Sequence, residues 1–138
     1  MIYVKGACIG LLVSFIGSMV LGAYPYLPFH VIFLTSALPS ALVFGIMTYF
    51  VKTDESKVYY WIRAWLSLFI VGIIAFTIKT YFEARAIAVN PYGSTLNWDA
   101  VILFNILYSV GAAILFSPMG MYALQRLALY KKQQLNHQ

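Results

Sequence analysis

The sequence predicts an all-α, polytopic integral membrane protein of four transmembrane helices with both termini on the cytoplasmic side. Composition is the first reason: 62% of residues are hydrophobic, 9% are charged and the mean hydropathy is +0.82. A water-soluble domain of 138 residues needs more polar surface than that. The second reason is segmentation, since four apolar stretches are each close to the roughly 20 residues that cross a bilayer. The third is charge placement, because every charged side chain lies at or outside the ends of those stretches.

The first span is expected near 6–24, where Lys5 precedes an apolar run. A charged start, an apolar run and Leu21-Gly22-Ala23 also fit the outline of a secretory signal peptide. The regular small residues within the run favour a retained helix, because a discarded segment has no use for a packing face. The link Tyr24-Pro25-Tyr26-Leu27-Pro28 holds two prolines, one to stop a helix and one to open the next, so the first two spans form a tight hairpin. The second span is expected near 27–51 and ends at the charged link Lys52-Thr53-Asp54-Glu55-Ser56-Lys57.

The third span, near 58–82, opens on Tyr59, Tyr60 and Trp61, amphipathic rings suited to a membrane interface. Its Arg63 lies about 8 Å inside the edge by helical rise, within reach of the surface for a flexible cation. A loop over 83–97 follows, with the turn signal Asn90-Pro91-Tyr92-Gly93-Ser94, and the fourth span is expected near 98–125. Asn97, Trp98 and Asp99 supply a polar start that can cap it. On this reading residues 1–138 are one four-helix domain and little protrudes from the membrane.

Orientation follows from the basic residues. Lys5, Lys52, Lys57, Arg63, Arg126, Lys131 and Lys132 fall on one side, against Lys79 and Arg85 on the other. Positive charge favours the cytoplasm, so seven against two predicts both termini inside. The same placement accounts for the net charge of +5 without a nucleic-acid partner. Together with the absence of any Asn-x-Ser/Thr sequon, it suits a bacterial inner membrane.

Small residues give the strongest internal pattern. Gly6, Gly10, Ser14, Ser18 and Gly22 recur every fourth position on the first helix, Ala37, Ala41 and Gly45 on the second, and Asn105, Ser109, Ala113 and Ser117 on the fourth. Small-xxx-small faces let helices approach closely in lipid, where no hydrophobic drive holds them together. Helices one, two and four are accordingly expected at the packed centre, and such faces serve either the chain itself or a partner. Pro39 and Pro118 each remove a backbone donor, free the carbonyls of Thr35 and Ile114, and are expected to kink their helices. Ser36, Ser40 and Ser117 stand ready to bond locally.

Chemistry-bearing motifs are sparse. No acidic residue precedes Asp54, unlike small multidrug transporters with a glutamate in their first helix. Cys8 alone cannot run dithiol exchange, and His30 and His137 lie on opposite sides of the expected membrane, so no haem or metal pair forms. No nucleophile, base and acid can be assembled. The expectation is therefore a protein that is not an enzyme, holds no cofactor and meets lipid plus another integral membrane protein or itself. The favoured role is docking through the helix-one stripe and the 83–97 loop, in the manner of accessory subunits or inner-membrane immunity proteins, whose size and layout are similar. The alternative is a homo-oligomeric pore or facilitator for a small solute, with Asn105, Tyr108 and Ser109 as its polar path.

Overall fold

A computed structural model describes residues 1–20, 29–89 and 97–136. The described chain is helical: α1 (Ile2–Val20), α2 (Phe29–Ile32), a π-helical turn (Phe33–Ala37), α3 (Leu38–Phe50), α4 (Lys57–Val89) and α5 (Trp98–Asn136). Three helical stretches are long and apolar enough to cross a membrane, Phe33–Phe50, Lys57–Phe82 and Trp98–Asn136, and a shorter apolar helix covers Ile2–Gly17. Large apolar side chains stand more than half exposed on several helix faces, among them Leu42, Ile46, Leu103 and Ile114. Such a surface suits hydrocarbon rather than water.

The helix boundaries depart from the sequence expectation at four places. α1 starts at Ile2 rather than near residue 6, because Lys5 does not mark the end of the apolar helix. Its ammonium sits 3.9 Å from the centroid of the Tyr130 ring. Residues 21–28, which include Gly22 and the proline link, lie outside the described residues.

The second span is not one regular helix. A π turn leads without a break into α3, so Pro39 lies inside a continuous helical stretch and the turn before it absorbs its missing N–H. Widening the helix by one residue per turn accommodates the proline ring against the preceding carbonyls.

The last two helices outrun their expected spans. α4 continues from 82 to Val89 through Glu83-Ala84-Arg85-Ala86, strong helix formers, and the predicted 83–97 loop shrinks accordingly. α5 runs to Asn136 instead of 125, because Arg126 to Leu135 contains no glycine or proline and many good helix formers. At 1.5 Å per residue α4 and α5 measure about 50 and 58 Å, well beyond a 30 Å hydrocarbon layer. The expectation that little protrudes does not hold for these two rods.

Two seams organise the packing. α1 lies against α3, and α4 runs antiparallel to α5, so that Gly72 meets Ser109 and Gly120 meets Ala64. The α4–α5 seam is the more extensive, which corrects the expectation that helices one, two and four form the centre. Ala64, Ser67 and Gly72 give the third span a narrow small-residue face that its many large side chains conceal in sequence. Phe44, Val51, Leu124 and Leu127 fill the space where the pairs meet, at the end where α3 stops and α4 begins.

Candidate functional site

Three regions hold the residues singled out by sequence: the helix-one seam, a groove beside α4 and α5, and the end of the bundle where the basic residues gather.

At the seam, Gly6 and Gly10 face α3 so closely that neither has room for a side chain. A Cβ on Gly6 would lie 3.0 Å from the Phe44 carbonyl oxygen, and one on Gly10 would overlap the Ser40 carbonyl and lie 2.9 Å from the Ala41 Cα. Ser40 donates from its hydroxyl to the Gly10 carbonyl at 2.7 Å, and Ser14 and Ser36 share a hydrogen bond of 2.5 Å. Hydrogen bonds of this kind are worth about 0.6 kcal/mol on average in a membrane. Gly17, off the four-residue spacing, is buried with a built Cβ 3.7 Å from the Phe116 ring. The Ser18 side chain and Gly22 lie outside the described residues. Gly6, Gly10 and Ser14 are thus covered by the chain's own helices.

The second stripe forms the other face of the same seam, with the Gly45 Cα 3.4 Å from a Cβ built on Gly6. Ala41 and Gly45 sit beside Ala7 on the floor of an apolar groove of about 430 Å³ between α1 and α3, with Leu42, Ile46 and Tyr49 along its sides. A Cβ on Gly45 would meet the Tyr3 carbonyl at 3.9 Å and the Ala7 Cβ at 4.0 Å, ordinary contact with α1, so a methyl fits here where it does not at Gly10. Ala37 closes the π turn and is half-buried.

The three polar residues of the fourth span separate. Ser109 is fully buried against Gly72 and donates to the Asn105 carbonyl at 2.7 Å. Tyr108 is 59% exposed on the outside of the pair. Asn105 is half-buried between them and donates to the Thr80 hydroxyl at 3.3 Å, while Thr80 donates to the Phe76 carbonyl at 2.8 Å. Asn105 and Tyr108 instead line an open groove of about 510 Å³ together with Phe76, Lys79, Thr80 and Phe104. Asn105 was legible as the one amide deep within the span; Lys79 and Thr80 belong to the other helix, and only the antiparallel register brings them opposite it.

Pro118 stands inside α5, and the carbonyl it leaves free is engaged. Ser117 donates to the Ile114 oxygen at 2.9 Å and receives the Trp61 indole N–H at 3.1 Å. The relay ties the proline turn of α5 to the first turns of α4, and Ser117 is only 2% exposed. Replacing Trp61 by phenylalanine is expected to cost about 1 kcal/mol, and Ser117→Ala should cost about that much less in the Trp61→Phe background than in the parent, what remains being its own bond to the Ile114 carbonyl. A double-mutant cycle on detergent unfolding measures this coupling.

The basic end is knitted by side chains that cap backbone. Lys131 donates to the carbonyls of Thr48 at 3.4 Å, Tyr49 at 3.3 Å and Val51 at 2.8 Å, filling acceptors that the end of α3 leaves open. Tyr60 donates to the Lys52 carbonyl at 3.0 Å and Tyr59 to the Phe50 carbonyl at 3.2 Å, which pins the short link. Asp54 has φ of 64° there, a left-handed turn conformation that aspartate tolerates, and its carboxylate pairs with Lys132 at 2.7 Å. Arg63 reaches back toward the Tyr59 ring, 5.3 Å from its centroid. At the opposite end Asn97 caps α5, its carboxamide oxygen accepting from the Ala100 N–H at 3.3 Å, with Asp99 in the first turn.

Among the described residues no three His, Cys, Asp or Glu side chains come together as a metal site, and Cys8 is exposed on α1. Every buried side-chain N or O among them has a hydrogen-bond partner. Comparison with protein families, with curated proteins and with solved structures finds no match for this chain.

Proposed function

We propose that this chain is a small non-enzymatic integral membrane protein that docks on another membrane protein by helix packing, as an accessory subunit or an immunity-type protein does. It crosses a bacterial inner membrane four times, with both termini cytoplasmic. The basic residues support that orientation: Lys5, Lys52, Lys131 and Lys132 belong to the end where α1 begins, α3 stops and α5 finishes.

The observation that carries the docking reading is the apolar groove left along the outer edge of the α1–α3 seam. The backbones of Ala41 and Gly45 meet Gly10 and Gly6 in the seam, but their outer sides, with Ala7, still floor an apolar groove that nothing in the chain fills. Small residues there let a second backbone come close, which is the main source of helix affinity in lipid. The docking surface is accordingly the α1–α3 groove rather than the buried stripe.

Gentle extraction from the native membrane, followed by mass determination and identification of every co-purifying chain, tests it. A stoichiometric foreign membrane protein is expected. Ala41→Leu and Gly45→Leu should fill the groove and lower its recovery by roughly tenfold, as loss of an interface hot spot does, with insertion and helicity unchanged. Undiminished capture by both variants, or a complex holding only copies of this chain, would refute the reading.

A further inference from the structure

The last turn of α3 is closed by residues from elsewhere in the chain. A helix leaves its final carbonyls without donors of its own, and no glycine follows Phe50 to fold the chain back over them; the next residue, Val51, is extended at φ of −70° and ψ of 121°. Lys131 donates to the carbonyls of Thr48, Tyr49 and Val51, and Tyr59 donates to that of Phe50. Four consecutive acceptors are thus filled from α5 and α4. The same turn carries Tyr49 and Phe50, which line the basic end of the α1–α3 groove with their rings edge to face at 5.2 Å. Tyr3 lines that end from α1, and its helix is tied to the same segment of α5 through the Lys5 ammonium on the Tyr130 ring.

We infer that Tyr130 and Lys131 are positioning residues for docking: two adjacent side chains of α5 hold the start of α1 and the end of α3 at the separation that gives the groove its mouth. The purpose rests on the docking reading, while the width of the mouth is a property of this chain alone. Without the Lys131 ammonium, three carbonyls of the turn must find water, and turning outward carries Tyr49 and Phe50 off the groove. A partner helix then meets a mouth that is competent only part of the time, and its apparent affinity falls by that fraction. Lys132, the next residue, pairs instead with Asp54 in the link, which makes it a control one position away.

Nitroxides on the exposed native Cys8 of α1 and on a Tyr49→Cys substitution, also at an exposed position, measure the mouth in the full chain in phosphatidylcholine vesicles with no partner present. One narrow distance distribution is expected. Lys131→Met should broaden it, whereas Lys131→Arg and Lys132→Gln should leave it narrow; a loss of stability alone would not move the folded-state distance. Tyr59→Phe removes only the hydroxyl on the Phe50 carbonyl and should broaden it in the same direction with helicity unchanged, so a folding defect in Lys131→Met does not decide the outcome. In extraction from the native membrane, Lys131→Met with Tyr49 intact should recover about fivefold less partner than the parent. An unchanged distribution in both Lys131→Met and Tyr59→Phe, or undiminished recovery by a Lys131→Met chain whose mouth has broadened, would overturn the inference. If the parent captures no foreign protein the docking reading fails, and the distance distribution still decides whether α5 sets the mouth.

Discussion

Replacing Gly10 by leucine is expected to destabilise the folded protein by about 3 kcal/mol, while the same change at Gly111 alters stability by less than about 0.5 kcal/mol. Both glycines lie within apolar helices, so hydropathy and propensity treat them alike. Their surroundings do not. Around Gly111 nothing lies within 4 Å of a built Cβ, whereas at Gly10 even a methyl overlaps the Ser40 carbonyl. The obstacle is backbone of α3, which cannot rotate away as a side-chain tip could. Relief requires α1 and α3 to separate, and separation also breaks the Ser40 to Gly10 bond of 2.7 Å. Unfolding in mixed micelles with increasing dodecyl sulfate, followed by helicity, reads both variants against the parent. Equal behaviour of Gly10→Leu and Gly111→Leu would show that α1 and α3 do not pack as described.

The second large effect is expected at Lys131. Lys131→Met removes one cation from three backbone carbonyls at the end of α3 and should cost about 2 kcal/mol, within the range for hydrogen bonds to charged groups. Lys132→Gln, which breaks an ion pair whose side chains are 47% and 66% exposed, should cost less than about 0.5 kcal/mol despite its shorter distance. The difference is one of solvation: water replaces a partner at the surface, but the buried Thr48 and Val51 at the Lys131 site leave little access for it. Hydrogen exchange offers an independent measure, with faster exchange over Arg126 to Leu135 in Lys131→Met and none in Lys132→Gln. If the two variants exchange and unfold alike, Lys131 is only another interface anchor.

Much of the architecture was legible because membrane constraints are written in composition. Long apolar runs and flanking charges located the helical stretches and their starts, and the Asn97 start of α5 was readable as a cap. What failed has a common cause. Sequence arguments placed helix ends where the bilayer ends, yet α4 and α5 continue for as long as helix formers last, through Glu83 to Val89 and Arg126 to Asn136. The pairing of α4 with α5 was hidden for a different reason. Ala64, Ser67 and Gly72 are a narrow face among large residues, and their importance depends on meeting Gly120, Ala113 and Ser109 in antiparallel register. Register is a property of two segments, so no single-helix pattern reveals it. The groove residue Thr80 was missed on the same ground, and the role of Lys131 because a carbonyl acceptor leaves no mark in sequence.

The cap at the end of α3 also sets a clock on biosynthesis. The Val51 carbonyl is closed by a residue 80 positions further along the chain. At about 5–20 residues per second, the ribosome supplies that lysine some 4–16 s after it has made α3. Tyr59 and Tyr60, eight or nine positions downstream of the carbonyls they engage, arrive about a second after those carbonyls and hold the link meanwhile. Until Lys131 has been made, the carbonyls at the end of α3 lack the charged donor that closes them in the finished protein, so this end of the fold is completed last.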